Sequence, residues 1–216
     1  MSHVQRIIRI ISLKRAYSTV SEASSEKKLV YTSPQIGLVK FVKRFSLSTL
    51  GISSISTPAI MYFWDSAAAQ TMDVSNTMFL GAMMASVCST GALSFLLSPY
   101  VNSIHLHMQH RQNSERQPPI SPNTIISIET LDLLARKRTS TLQLKDLLPI
   151  ANSSLLTWNV NKKALEKQYL LEQMKGIEPK IKQHRFWLDQ RNGMGDKDVM
   201  SSILRVVQEQ GRKKMI

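Results

Sequence analysis

Three histidines, His105, His107 and His110, are the residues whose type and spacing most invite chemistry. On a strand, His105 and His107 point to one face, so two imidazoles could converge on a metal ion. A metal centre wants further ligands, however, and neither a carboxylate nor a cysteine lies beside them in sequence. The single cysteine, Cys88, sits in an apolar run and reads as a small buried residue. One thiol excludes both an intramolecular disulfide framework and a thiolate metal cluster. Gly193-Met194-Gly195 lacks the preceding strand and the spacing of a phosphate-binding loop, and reads as a linker. No nucleophile, base and acid stand in a catalytic arrangement. The chain reads as a non-enzyme without metal or cofactor.

Binding is the chemistry that remains. The net charge is +13, and from Arg111 onward 19 Lys plus Arg face 11 Asp plus Glu. Such an excess suits an anionic partner. Lys162, Lys163, Lys167, Lys175, Lys180, Lys182, Arg185 and Arg191 are interspersed with Tyr169, Phe186 and Trp187. Cationic side chains neutralise phosphates and aromatic rings stack on unpaired bases, so an RNA-rich partner fits. We take Lys162, Lys163, Lys167, Lys180, Lys182, Arg185 and Arg191 as the candidate ribosome or RNA contacts. Glu166 and Glu172 dilute this patch.

The elements that must hold these residues begin with an address. Residues 1–17 read as a mitochondrial presequence. Arg6, Arg9, Lys14 and Arg15 are interspersed with isoleucines, the first carboxylate is Glu22, and a helix here would have one cationic and one apolar face. Arg15-Ala16-Tyr17-Ser18 resembles a processing site, with cleavage expected near Tyr17. Residues 18–44 follow as a segment on the matrix side.

Two uncharged runs come next, within residues 45–101. The first, Phe45 to Trp64, is 20 residues long, enough to cross a bilayer as a helix. It carries seven Ser and Thr residues, Pro58 should kink it, and Tyr62, Phe63 and Trp64 mark an interfacial end. The second, Thr77 to Val101, is more apolar, with its span expected at about 78–97. Gly81, Ala85, Ser89 and Gly91 recur at intervals near four, leaving one narrow face on which another helix can pack, with Gly81, Ala85 and Gly91 as the expected packing positions. Only 12 residues separate the runs, so they must form an antiparallel hairpin. The connection holds Asp65 and Asp73 and no Lys or Arg, whereas Lys40, Lys43, Arg44, Arg111 and Arg116 flank the pair. By the positive-inside rule both termini lie in the matrix. There the formal glycosylation sequon at Asn152-Ser153-Ser154 has no role.

Beyond the spans, residues 102–150 read as a small antiparallel sheet. Ile104, Leu106 and Met108 alternate with His105 and His107; Thr124 to Leu134 reads as a strand with Ile126, Ile128 and Thr130 on one face; a basic turn at Ala135 to Arg138 leads into Thr139 to Leu144. Residues 151–216 form a basic helical tail. Asn161 caps a helix over Lys162 to Lys175 and Gly176 stops it. Asp196 caps a second, with Val199, Met200, Ile203, Val206 and Val207 as its apolar stripe, and Gly211 with Arg212-Lys213-Lys214 closes the chain.

The Lys-Arg-Phe-Ser-Leu-Ser-Thr-Leu-Gly stretch from Lys43 to Gly51, and the Ile-Ser-Ile-Glu-Thr-Leu-Asp-Leu-Leu-Ala-Arg-Lys stretch from Ile126 to Lys137, resemble the mitochondrial transmembrane protein 70, 186 and 223 family. The likeness covers about residues 29–150 and includes the layout of presequence, tight hairpin and matrix β segment. It implies a role in respiratory-chain biogenesis. Some members help assemble complex I or ATP synthase, and a fungal branch associates with mitochondrial ribosomes at the inner membrane. The expectation is therefore an α+β membrane protein of the mitochondrial inner membrane: a two-helix transmembrane hairpin, then a small antiparallel β-sheet and C-terminal helices in the matrix. Its expected partners are the mitochondrial ribosome, both protein and rRNA, inner-membrane lipids, and nascent or unassembled respiratory-chain subunits; a homo-oligomer stays open.

Overall fold

The computed structural model describes residues 26–63, 76–108, 120–150, 153, 156–176, 178–189 and 193–215. The presequence, the connection between the two helices, His110, Arg191 and the sequon's Asn152 and Ser154 lie outside them. The chain is α+β, with four helices and an antiparallel sheet among the described residues. In order the elements are β1 (Glu26–Thr32), α1 (Ile36–Phe63), α2 (Asn76–Leu97), β2 (Val101–Met108), β3 (Ile125–Leu131), β4 (Lys137–Gln143), a 3-10 turn at Leu144–Asp146, β5 (Leu147–Pro149), β6 (Trp158–Val160), α3 (Lys162–Lys175), β7 (Arg185–Phe186), β8 (Met194–Gly195) and α4 (Lys197–Met215). Five strands form one sheet in the order β4-β3-β2-β1-β8, and β5-β6-β7 form a second.

β1 pairs antiparallel with β2, from Glu26 opposite Met108 to Thr32 opposite Ser103. The two long helices are therefore inserted where a β-hairpin would have its turn, and they leave and re-enter the sheet at the same end. The expected antiparallel sheet continues through β2, β3 and β4 as a meander, with Ile104 opposite Ile128 and Ile128 opposite Ser140. Its boundaries differ slightly from expectation: the turn between β3 and β4 runs from Asp132 to Arg136, and Lys137 and Arg138 already belong to β4.

Period-two alternation puts Val30, Ile104, Leu106, Ile126, Ile128 and Leu142 into one core, joined by Trp158, Val160 and Phe186 from the second sheet. α4 closes this core with Val199, Ile203 and Val207, one face of a helix at spacings of four. Each fully buried aliphatic here contributes about 1.5–3 kcal/mol of transfer free energy. Asp196 caps α4 as expected, its Oδ1 accepting from Val199 N at 3.2 Å. Gly211 does not end the helix. It is buried, and a Cβ there would collide with the Pro149 ring, so its role is close approach of α4 to β5. Gly193-Met194-Gly195 is not a bare linker either: Met194 and Gly195 pair with Thr32 and Tyr31 as β8. Gly195 takes φ +141 beside the Val30 carbonyl, where any side chain would clash.

The helices are held to the sheet by a second cluster. Val39 of α1 and Tyr100 and Leu131 are buried together, with Leu97 and Trp187 against them. The Tyr100 and Trp187 rings meet edge to face with centroids 5.2 Å apart. Trp187 N donates to Pro99 O at 2.6 Å, and Val101 N donates to Trp187 O at 2.9 Å. Tyr100 and Ser33 share a hydroxyl hydrogen bond. Tyr31 donates to Asp189 O at 2.7 Å, and burial pushes its phenol up to about 12. The buried Lys43 donates to Leu131 O at 2.7 Å and Asp132 O at 3.1 Å, fastening α1 to the β3–β4 turn.

α1 and α2 pack antiparallel. Ser46 Oγ donates to Thr90 Oγ1 at 3.0 Å near the sheet, and Thr57 Oγ1 lies 3.4 Å from Met83 Sδ further out. The polar Ser46 and Thr90 are buried between the helices, while Ile55 is 77% and Phe95 75% exposed. Hydroxyls of Ser48, Thr49, Ser53, Ser54 and Thr57 donate back to carbonyls three or four residues earlier in α1. The helix runs through Pro58 to Phe63. Among the described residues one helix, Thr77–Leu97, is long and apolar enough to cross a membrane.

Candidate functional site

Six of the seven candidate contact residues are described, and all six are exposed. Lys162 and Lys163 occupy the first turn of α3, where Asn161 caps the helix by accepting from Lys163 N at 3.3 Å. Lys167 follows one turn later. α3 ends at Gly176, in the left-handed conformation, as the sequence suggests. No acidic residue lies in its first turn. Lysines there oppose the helix macrodipole, at a cost of about 0.3–1 kcal/mol each, so helix stability does not explain them.

Gln168 brings the remaining lysines alongside. Its side chain accepts from Ile181 N at 3.1 Å and donates to Ile181 O at 3.4 Å. That clamp sets Lys180 and Lys182 next to α3. The same segment is fixed from its other side: Thr141 N donates to Lys180 O at 2.9 Å, and the buried Ser140 hydroxyl accepts from Lys182 N and Gln183 N, both at 3.1 Å. Arg185 lies on β7, opposite Asn159 of β6. The cations thus come from two chain segments joined through one glutamine.

The aromatic residues divide. Tyr169 is 59% exposed on α3 and available for stacking, its hydroxyl accepting from Gln173 Nε2 at 2.7 Å. Phe186 is fully buried in the core and Trp187 is packed against Tyr100, so these two serve the fold rather than a base-stacking surface. Sequence reasoning overlooked Leu170 and Met174, 54% and 80% exposed on α3. Their signal was available, since α3 has no apolar stripe of the kind α4 carries.

His105 and His107 share the polar face of the sheet. His107 Nε2 lies 2.6 Å from Ser127 Oγ, which is 2.9 Å from Thr141 Oγ1. His105 lies 3.6 Å from Glu129, which also accepts from Ser103 at 2.9 Å and Asn102 at 3.2 Å and pairs with Lys137 at 3.3 Å. Burial pulls His107 below the usual histidine value, helped by Lys27 and His105. Burial alone would raise Glu129, but Ser103, Lys137 and His105 together hold it below the usual carboxylate range. Among the described residues no three His, Cys, Asp or Glu side chains are grouped to hold a metal.

Gly81, Ala85 and Gly91 are exposed on α2, and a Cβ at Gly81 or Gly91 would meet open space. The face toward α1 is instead the one carrying Met83 and Thr90. Cys88 is exposed rather than buried. Comparison with protein-family models, curated proteins and solved structures gives no match.

Proposed function

We propose that this chain is a non-enzymatic protein of the mitochondrial inner membrane that tethers the mitochondrial ribosome, so that hydrophobic products insert as they are made. In this reading α1 and α2 form a transmembrane hairpin with both termini in the matrix. Support comes from the inverted packing of the pair, with hydroxyls between the helices and large apolar side chains outside. It comes also from the back-bonded Ser53 and Ser54 of α1, whose hydroxyls are satisfied within the helix. The observation that carries the tether is the display of Lys162 and Lys163 on a helix end that disfavours them, followed by Lys167 and beside Lys180 and Lys182.

Sedimentation of membrane extracts at low and high salt tests it. The chain should co-migrate with ribosomes at low salt and be released at high salt, because added counterions compete with the lysines for phosphate. A chain that never co-migrates at any ionic strength would sink the tether.

A second reading, in which the chain is an assembly factor for complex I or ATP synthase subunits, is favoured by the open small-residue face of α2. Gly81→Leu and Gly91→Leu meet no clash within the chain, so failure to capture a respiratory subunit would report on that face. Retention of the client in both variants would exclude it.

A further inference from the structure

The turn between β3 and β4 ends in two leucines that the fold leaves uncovered: Leu133 is 54% and Leu134 49% exposed. The turn is nonetheless rigid. Asp132 N donates to Arg136 O at 3.0 Å, Ala135 N donates to Asp132 O at 3.1 Å, and Arg136 N donates to the Asp132 carboxylate at 2.9 Å. Ala135 is buried with φ +55, a conformation that costs an alanine something and fixes the leucines at the tip. The N–H groups of Asp132, Ala135 and Arg136 are satisfied within the turn.

Its position is set by the helices. Lys43 binds the carbonyls of Leu131 and Asp132, and Leu133 lines a small cavity with Ser46, Leu47, Thr90 and Leu93. Leu133 therefore sits level with the start of the uncharged run, beyond the last charge, Arg44. On α1 the exposed Phe41 and Phe45 rings stack with centroids 5.9 Å apart across the same boundary. Behind the leucines come Arg136, Lys137 and Arg138, all exposed. Lys137 pairs with Glu129, while no carboxylate among the described residues pairs with Arg136 or Arg138.

We infer that the β3–β4 turn is a monotopic anchor. Leu133 and Leu134 enter the headgroup–acyl boundary beside the hairpin, and Arg136 and Arg138 bind the phosphates of anionic phospholipids in the same leaflet. Apolar tip and cationic collar lie in the order that a bilayer surface requires. The inference rests on the membrane reading of the hairpin.

The test uses the full chain with Cys88→Ser and one new cysteine carrying an environment-sensitive fluorophore. The sites are Leu134→Cys in the turn, Val87→Cys in α2 and Met174→Cys on α3. Each protein is reconstituted into vesicles of phosphatidylcholine alone, or mixed with phosphatidylglycerol, containing lipid brominated near the carbonyl end of the acyl chain or deep within it. The Leu134 label should be quenched by the shallow bromines. Quenching should rise several-fold with phosphatidylglycerol, and lose that rise when Arg136→Glu and Arg138→Glu are added. The Met174 label should stay unquenched. A quenched Val87 label with an unquenched Leu134 label overturns the anchor and leaves the hairpin standing. Neither label quenched overturns both, and a Leu134 signal indifferent to phosphatidylglycerol overturns the lipid assignment.

Discussion

α3 and α4 are two helices of one tail, each opened by a capping side chain and each rich in lysine and arginine, yet the fold uses them differently. α4 buries Val199, Ile203 and Val207 and closes the core. α3 buries no residue completely; it touches the core with Ala164 and Leu165 and is clamped by Gln168, while Tyr169, Leu170 and Met174 face outward. Basic residues at the end of α4, Arg212 to Lys214, suit the negative pole of their helix. Those at the start of α3 do not. Charge that a helix tolerates teaches little about function; charge that a helix resists does.

Substitution in the two helices should break the comparison most visibly. Ile203→Ala in α4 is expected to cost about 2–5 kcal/mol through loss of buried surface and a cavity. Leu170→Ala in α3 should stay within about 0.5 kcal/mol. Denaturant unfolding of the full chain in detergent measures both, and equal effects would erase the distinction.

Reversal of the three lysines sharpens it. Lys162→Glu, Lys163→Glu and Lys167→Glu together should remove ribosome co-sedimentation, lowering the salt slope by roughly 0.7–0.9 for each phosphate that is no longer neutralised. The same change should leave α3 at least as helical, since carboxylates suit that pole. Binding that survives the triple variant with an unaltered salt slope would dismiss the patch.

The caps give a smaller contrast. Asn161→Ala should cost about 1 kcal/mol, confined to α3 and read as faster amide exchange there with α4 unaffected.

Of the two helix starts, acid should act on that of α4. Asp196 is held below its usual value by Lys28, 2.7 Å away, and then by Val199 N. Its folded value is depressed, so its contribution is complete above the unfolded value of 3.8 and fades as pH falls through the folded one. Asn161 has no such titration. Amide exchange recorded toward acid pH should therefore loosen the start of α4 before that of α3, and Asp196→Asn should remove the difference.

Local chemistry made these helices legible in the sequence. Asn161, Gly176 and Asp196 act within their own turns, so cap and stop could be placed to the residue. The strands β2 to β4 were legible for a similar reason, as consecutive alternating runs. β1 was missed, although Val30-Tyr31-Thr32 is rich in β-branched and aromatic residues, because its apolar residues run together instead of alternating and its partner β2 lies beyond both helices. β6, β7 and β8 are two or three residues long, too short for any period to register. Gly211, read only as part of the closing basic end, proves to be a packing position, because Pro149 from another element required the space. Of the site, the lysines were readable, but the burial of Phe186 and Trp187 depended on packing that no local pattern records.

The β1–β2 pairing across the helical insertion sets an order of events. Thr32 and Ser103 meet with some 70 residues between them, a closure that an unstructured loop would reach slowly. Once α1 and α2 have packed through Ser46 and Thr90, their ends at the sheet lie side by side and the closure becomes that of a tight turn. Packing of the helices thus shortens the path to β1–β2 pairing, so a completed sheet serves as a molecular receipt for the helix pair.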